Sequence, residues 1–140
     1  MREAPLSKSD YRALSHFRYQ IRRFLHFSEE AARAEGLEPQ QHQMLLTIEG
    51  SDEDCGPTVG CLAEHLLIRH HSAVGLLDRL EERGLVERVR DGGDRRQVRV
   101  RITEAGSEKL HRLARQHRDE LRKSEPELVE TLRAVVEQRS

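Results

Sequence analysis

Apolar residues recur at Leu14, Phe17, Ile21, Phe24, Leu25 and then Phe27 or Ala31, the spacing that lays one stripe along a helix. Ser7-x-x-Asp10 stands ahead of this run and Gly36 behind it. The pattern predicts a first helix with a polar start and a glycine stop. Glu38-Pro39 opens a second helix, since proline is tolerated in a first turn; its apolar side is Met44, Leu45 and Ile48, and Gly50 ends it. Ser51 to Pro57 is a polar loop, and Thr58-Val59 reads as a minimal strand. Two short helices follow. One covers about Gly60 to Leu67 with Leu62, Ala63 and Leu66 inward, the other about His70 to Arg83 with Ala73, Leu76, Leu77 and Leu80 on one side.

At Leu85 the period changes. Leu85–Arg90 and Gln97–Ile102 read as strands, and Val98, Val100 and Ile102 alternate strictly. Between them lies Asp91-Gly92-Gly93-Asp94-Arg95-Arg96, where paired glycines supply the positive φ of a tight hairpin. Thr103 is the expected N-cap of a long fifth helix through Leu110, Leu113 and Leu121. Ser124-x-x-Glu127 with Pro126 reads as a capping box that opens a further helix, striped by Leu128, Leu132, Val135 and Val136. The fold class is therefore mainly α with a small β-wing. Residues 1–140 form a single domain, a winged helix-turn-helix module (37–103) flanked by N- and C-terminal helices (1–36 and 104–140). The end helices are amphipathic, and the module offers no neighbour large enough to cover them. They are expected to pack together and against the same helices of a second copy, as dimerisation helices of a homodimer; a monomer whose ends close over the module is the alternative.

Composition narrows the class. The chain has 140 residues, one domain's worth, with 24 Lys+Arg against 25 Asp+Glu and 36% hydrophobic residues, which suits a small core or one completed by a partner. A net charge of −1 selects no partner, but its distribution does. Seven arginines and three acids lie between Arg83 and Arg101, whereas Ser28 to Glu64 holds nine acids and one arginine. A basic edge on a neutral protein can still steer phosphate. No run of about 18 apolar residues exists for a membrane span, and the first ten residues lack a signal peptide's apolar stretch. Cys55 and Cys61 do not make a disulfide framework, so a cytoplasmic location is expected.

On the helix from His70, His71, Gly75, Asp78 and Glu82 lie opposite the apolar side, with Ser72 and Arg79 on the flanks. The start of that outer face is polar and small. His70, His71 and Ser72 can donate to phosphates or base acceptors at the positive end of the helix dipole. Gly75 permits close approach, and Arg79 has the reach for a phosphate or a guanine edge. Taken alone, this face would read as the solvated side of a core helix. The ribbon beside it changes the reading: Arg90 lies along it, and Arg95 and Arg96 stand at its tip, where an arginine can enter a narrow minor groove. Asp94 can pair with an arginine and aim it. Double-stranded DNA is the predicted partner.

The run Leu62–Gly106 resembles the MarR family (multiple antibiotic resistance regulators). The residues that carry the resemblance are Asp78-Arg79-Leu80-Glu81-x-Arg83-Gly84-Leu85-Val86, Asp94-Arg95-Arg96 and Thr103-Glu104-x-Gly106. The resemblance implies a homodimeric transcriptional regulator, a ligand-responsive repressor that binds a pseudopalindromic operator. Asp94 and Arg96 fall where the family places its wing salt bridge and minor-groove arginine. It also implies a small aromatic effector held between the dimerisation helices and the winged module, with Phe17, Ile21, Phe24, His42 and Met44 as candidate pocket residues. Two positions depart from the family pattern: His70-His71 replaces a hydroxyl-rich start, and Gly75 stands where a longer side chain is frequent.

Other chemistries have less support. Cys55 follows three acids, Asp52, Glu53 and Asp54, which disfavour a thiolate, and Cys61 is expected to be buried in the third helix, so redox sensing is a minor alternative. Eight histidines form no i,i+4 pair and no HExxH motif; zinc sensing through His42 with His111 or a nearby glutamate is another. No metal site or cofactor is predicted. No nucleophile motif, phosphate loop or acid/base pair points to an enzyme. A winged helix used as a protein-interaction module, without specific DNA binding, is the alternative from a different class.

Overall fold

The computed structural model describes residues 3–51, 56–90 and 98–137. The elements are α1 (Lys8–Ala34), α2 (Pro39–Glu49), α3 (Val59–Leu66), α4 (His70–Glu82), β1 (Val86–Arg90), β2 (Val98–Ile102) and α5 (Glu104–Glu137). This is a winged helix-turn-helix, mainly α with one two-stranded antiparallel sheet. The chain divides into two compact units, residues 32–114 and the paired segments 1–31 and 115–140. No described helix is long and apolar enough to cross a membrane.

Helix boundaries follow local chemistry. Ser7 and Asp10 cap α1 reciprocally: the Ser7 N–H donates to Asp10 Oδ2 at 2.7 Å and the Asp10 N–H to Ser7 Oγ at 3.3 Å. Gly36, at φ +79°, closes the helix in the left-handed region, and the Leu37 N–H returns to the Ala32 carbonyl. A capping box opens α2, with Glu38 and Gln41 serving each other's backbone. The sequence offers this box as Glu-x-x-Gln, although only Pro39 had signalled the start.

In the unit of residues 32–114, α2, α3 and α4 enclose a core that the sheet and the start of α5 complete. Leu37, Met44, Leu45, Leu62, Leu77, Leu80, Val86, Val100 and Leu113 are fully buried. Each such side chain contributes about 1.5–3 kcal/mol by leaving water. The strands pair Val86 with Ile102, Arg88 with Val100 and Arg90 with Val98 on one face. Thr58 adds an isolated bridge to Arg99, so the minimal strand is one residue and Val59 already belongs to α3. Leu66, expected to face inward, is half-buried. Cys61 is exposed, contrary to expectation, because Leu62 and Ala63 take the core side of α3 and turn it outward. Cys55 lies outside the described residues.

The base of the ribbon is a knot. The Thr103 N–H donates to the Leu85 carbonyl at 3.0 Å, its hydroxyl donates to the Gly84 carbonyl at 2.6 Å, and the same hydroxyl accepts from the Gly106 N–H at 3.2 Å. Thr103 thus caps α5 as expected. A Cβ on Gly106 would stand 2.3 Å from the Leu85 carbonyl oxygen and 2.8 Å from Ile102 Cγ1, so the knot closes only around glycine.

In the other unit, two antiparallel helical segments face each other. His117 meets the edges of Phe24 and Phe27 at 5.7 and 5.4 Å and bonds Ser28 Oγ at 2.7 Å, while His16 Nε2 lies 3.1 Å from Glu127. Here one expectation fails. No new helix starts at Ser124; α5 is continuous across Pro126. The Ser124 hydroxyl donates to the Glu120 carbonyl four residues back, at 3.0 Å, an in-helix bond and the reverse of an N-cap. Proline removes one backbone donor there; Leu128 is half-buried and Thr131 buried in the turns beyond it.

Two outcomes are expected. Gly106→Ala forces the ribbon base apart and should lower unfolding stability by about 1–3 kcal/mol in urea titration. Arg112 grips Glu35 with Nη2 at 2.9 Å and Nε at 3.1 Å, and that bond holds the Glu35 carboxyl below its ordinary value of 4.5, against the opposing effect of partial burial. A depressed carboxyl contributes stability above its unfolded pKa and loses it as pH falls through the folded one. Glu35→Gln should therefore lower the urea midpoint at pH 7, and the gap to the parent should close below about pH 4.5.

Candidate nucleic-acid interface

Thr58 Oγ1 caps α3 by accepting the Cys61 N–H at 3.2 Å. The helix ends at Leu67, which adopts φ 56° and ψ 40°, a left-handed conformation unusual for a branched side chain. The Ile68 N–H returns to Ala63 O at 3.0 Å and the Leu67 N–H to Glu64 O at 3.2 Å. This tight turn re-aims the chain into α4. The N-cap of α4 is Arg69, whose side chain makes no capping hydrogen bond. The first-turn N–H groups, which no helix can satisfy internally, thus receive no cap from Arg69, and His70, His71 and Ser72 of that turn are all exposed. Ala73, Leu76, Leu77 and Leu80 anchor the opposite side in the core.

Further along the outer face Gly75 is half-buried, and a Cβ there would lie 3.8 Å from Arg79 Nη1. The Arg79 side chain thus leans over Gly75 and remains exposed. A small residue at 75 leaves room for that guanidinium, or for a base edge.

The basic run is less available than its count implies. Of its seven arginines, five are described. Arg83 Nη1 donates to Gln41 Oε1 and Arg99 Nη1 to the Gly56 carbonyl, both at 3.1 Å. Arg101 pairs with Glu87 directly across the ribbon. Arg88 bonds Asp78 at 2.7 Å and Glu81 at 2.8 Å. Arg90, the last residue of β1, is exposed. The remaining predicted contacts, Asp94, Arg95 and Arg96, lie outside the described residues. Arg88 is the residue that sequence reasoning missed. Its signal was its phase: it shares a ribbon face with Val86 and pairs with buried Val100.

The profile of the MarR family matches residues 35–97, the stretch that holds this turn, α4 and the first strand. Residues 35–97, a little under half of the chain, are thus similar to the MarR family. The transcriptional activatory protein BadR of Rhodopseudomonas palustris is 36% identical over 89 residues, 63% of this chain and 51% of that protein, so the chain spans about half the length of this curated relative. A MarR family protein from Bacillus stearothermophilus superposes with a TM-score of 0.77 at 24% identity, covering 94% of each chain. The S. aureus MepR F27L mutant bound to an oligodeoxyribonucleotide superposes at 0.67 with 19% identity, over 79% of this chain and 78% of that one. These two likenesses establish the fold.

Two of the three motifs that carry the resemblance to the MarR family converge in space: Gly84 and Leu85 from one, Thr103 and Gly106 from another, form the knot at the ribbon base. The candidate effector residues are distributed over both units. His42 and Met44 are buried in the unit of residues 32–114. Phe17 is half-buried and Ile21 exposed in the other unit. Phe24, in that same unit, lines a cavity of about 450 Å³ with Tyr19, Gln20, Phe27 and Leu128. Gln20 is buried there, and its Oε1 has no hydrogen-bond partner among the described residues. Among the described residues no group of three or more His, Cys, Asp or Glu side chains is placed to hold a metal ion.

Proposed function

We propose that this protein is a sequence-specific DNA-binding transcriptional regulator, a ligand-responsive repressor that grips a pseudopalindromic operator as a homodimer. One observation carries the reading: the first turn of α4 is uncapped and presents His70, His71 and Ser72 to solvent, beside a ribbon whose sequence ends in Asp94-Arg95-Arg96. In this reading α4 lies in the major groove, with Gly75 and Arg79 toward the bases, and the ribbon carries Arg90 along the backbone and Arg95 and Arg96 into the adjoining minor groove. The MepR F27L mutant, which shares the fold, is bound to an oligodeoxyribonucleotide in its structure. The second copy is supported by apolar side chains left exposed in the helical unit, among them Ile21 at 39%, Leu132 at 47% and Val136 at 72%. Two modules so joined would read half-sites about 10 bp apart. A small aromatic effector, drawing on Phe24 and its neighbours, would favour a separation of the two modules unsuited to DNA and shift the population. BadR is named as an activator, so a reporter fused to the bound promoter fixes the sign: repression requires expression to rise when this gene is deleted.

Fluorescence anisotropy on operator DNA at several salt concentrations tests the binding. The logarithm of affinity should fall linearly with the logarithm of salt. Arg96→Ala should weaken binding by about 1–3 kcal/mol, and unchanged affinity would remove the ribbon tip from the interface. Absence of any operator-specific shift in the parent protein would instead favour a protein-interaction module. Leu132→Asp should turn the dimer into monomers in sedimentation velocity; a dimeric variant contradicts the assembly.

A further inference from the structure

The DNA-facing side of α4 carries an apparent contradiction. Asp78 lies on the same outward stripe as His71 and Gly75, its side chain 56% exposed, and Glu81 beside it is 41% exposed. Two carboxylates on a helix meant for a polyanion should repel it. The ribbon supplies the answer. Arg88, on β1, reaches back over α4: Nη2 donates to Asp78 Oδ1 at 2.7 Å and to the Val74 carbonyl at 3.3 Å, and Nη1 donates to Glu81 Oε1 at 2.8 Å. Its backbone N–H donates to the other Glu81 oxygen at 3.2 Å. The Arg88 side chain is only 24% exposed, so the guanidinium is sheltered and spent on these groups rather than offered to phosphate.

We propose that Arg88 is a positioning residue that masks Asp78 and Glu81, two of the three carboxylates of α4, so that the helix can approach a phosphate-lined groove. The inference rests on the DNA-binding reading above. Arg88 is ion-paired with both Asp78 and Glu81, while Arg79 and Glu82 are further exposed charges of the helix. Without Arg88, the same surface has an acidic excess next to the bases. Like charges at an interface suppress association, and salt relieves the effect. Two other roles are possible for the same atoms. Asp78 could accept from a cytosine amino group, or the cluster could be a mechanical clamp that holds the ribbon to α4.

The experiment separates these roles. Arg88→Met keeps the stem and removes the charge; operator affinity should fall about tenfold or more at low salt, and the deficit should shrink as salt rises. Adding Asp78→Asn and Glu81→Gln to Arg88→Met leaves the clamp broken but removes the unmasked charge, and affinity should return to within about threefold of the parent. No recovery in that triple variant overturns masking and favours the clamp. Arg88→Lys retains a cation without the two-pronged fork and should keep most of the affinity, which decides the matter should Arg88→Met fail to fold by circular dichroism; a loss as large as that expected for the methionine variant also overturns the proposal. Asp78→Asn alone should leave sequence preference unchanged in a binding-site selection, and an altered preference would assign Asp78 to base reading. Failure of the parent to bind any operator would count against the DNA reading itself, and is distinct from failure of the rescue.

Discussion

The projection of the ribbon depends on one close approach, the Gly106 backbone against the Leu85 carbonyl. Both ends of the ribbon leave the module at that point: β1 departs from Leu85, and β2 returns to Thr103 one residue before α5. Three hydrogen bonds converge on Thr103 and its neighbours. A two-stranded ribbon has little stability of its own, so its direction must be inherited from such a base. Any side chain at 106 would intrude on the Leu85 carbonyl and splay the strands at their root, where a small angle becomes a large displacement at the tip.

A second tie acts further out. The Arg88 guanidinium joins the ribbon to α4 by ion pairs to Asp78 and Glu81, while the knot joins it to α5. These two attachments fix the two lines along which a ribbon could swing. α4 and the ribbon are therefore presented as one body within the unit of residues 32–114, as a pair of elements addressing adjacent grooves would need. The preorganisation lies in the protein and is not deferred to binding.

Much of this was legible in the chain. The apolar stripes of α2, α3 and α4 gave the core, because 3.6-residue periodicity records which side of a helix leaves water. The change to alternation at Leu85 located the ribbon, and the Arg83-Gly84-Leu85 and Thr103-x-x-Gly106 segments were distinctive because they meet. Other features were hidden for physical reasons. Cys61 was expected inside because cysteine is a small hydrophobe, yet helix phase sets it outside. Pro126 after Ser124 matches a helix start in one dimension; only packing along both sides of it reveals a continuous helix. Arg88 looked like one more cation in a basic run. Its partners sit seven and ten residues earlier on another element, beyond the reach of any local rule, although an arginine in phase with buried valines implies a counter-charge nearby.

That last point alters how the charge pattern should be understood. The excess of four positive charges between Arg83 and Arg101 overstates what a polyanion would meet, because Arg88 is neutralised by Asp78 and Glu81, acids outside that stretch. The long-range pull on nucleic acid is correspondingly weak, and the acid-rich stretch from Ser28 to Glu64 weakens it further. For the regulator proposed above this is an advantage in selectivity. Non-specific affinity for DNA comes almost wholly from unpaired cations on phosphate, whereas specific affinity also draws on base contacts and groove shape. A surface that spends its arginines on fixing its own geometry gives up the first contribution and keeps the second, which raises the ratio of specific to non-specific binding that decides occupancy among a genome's many competing sites.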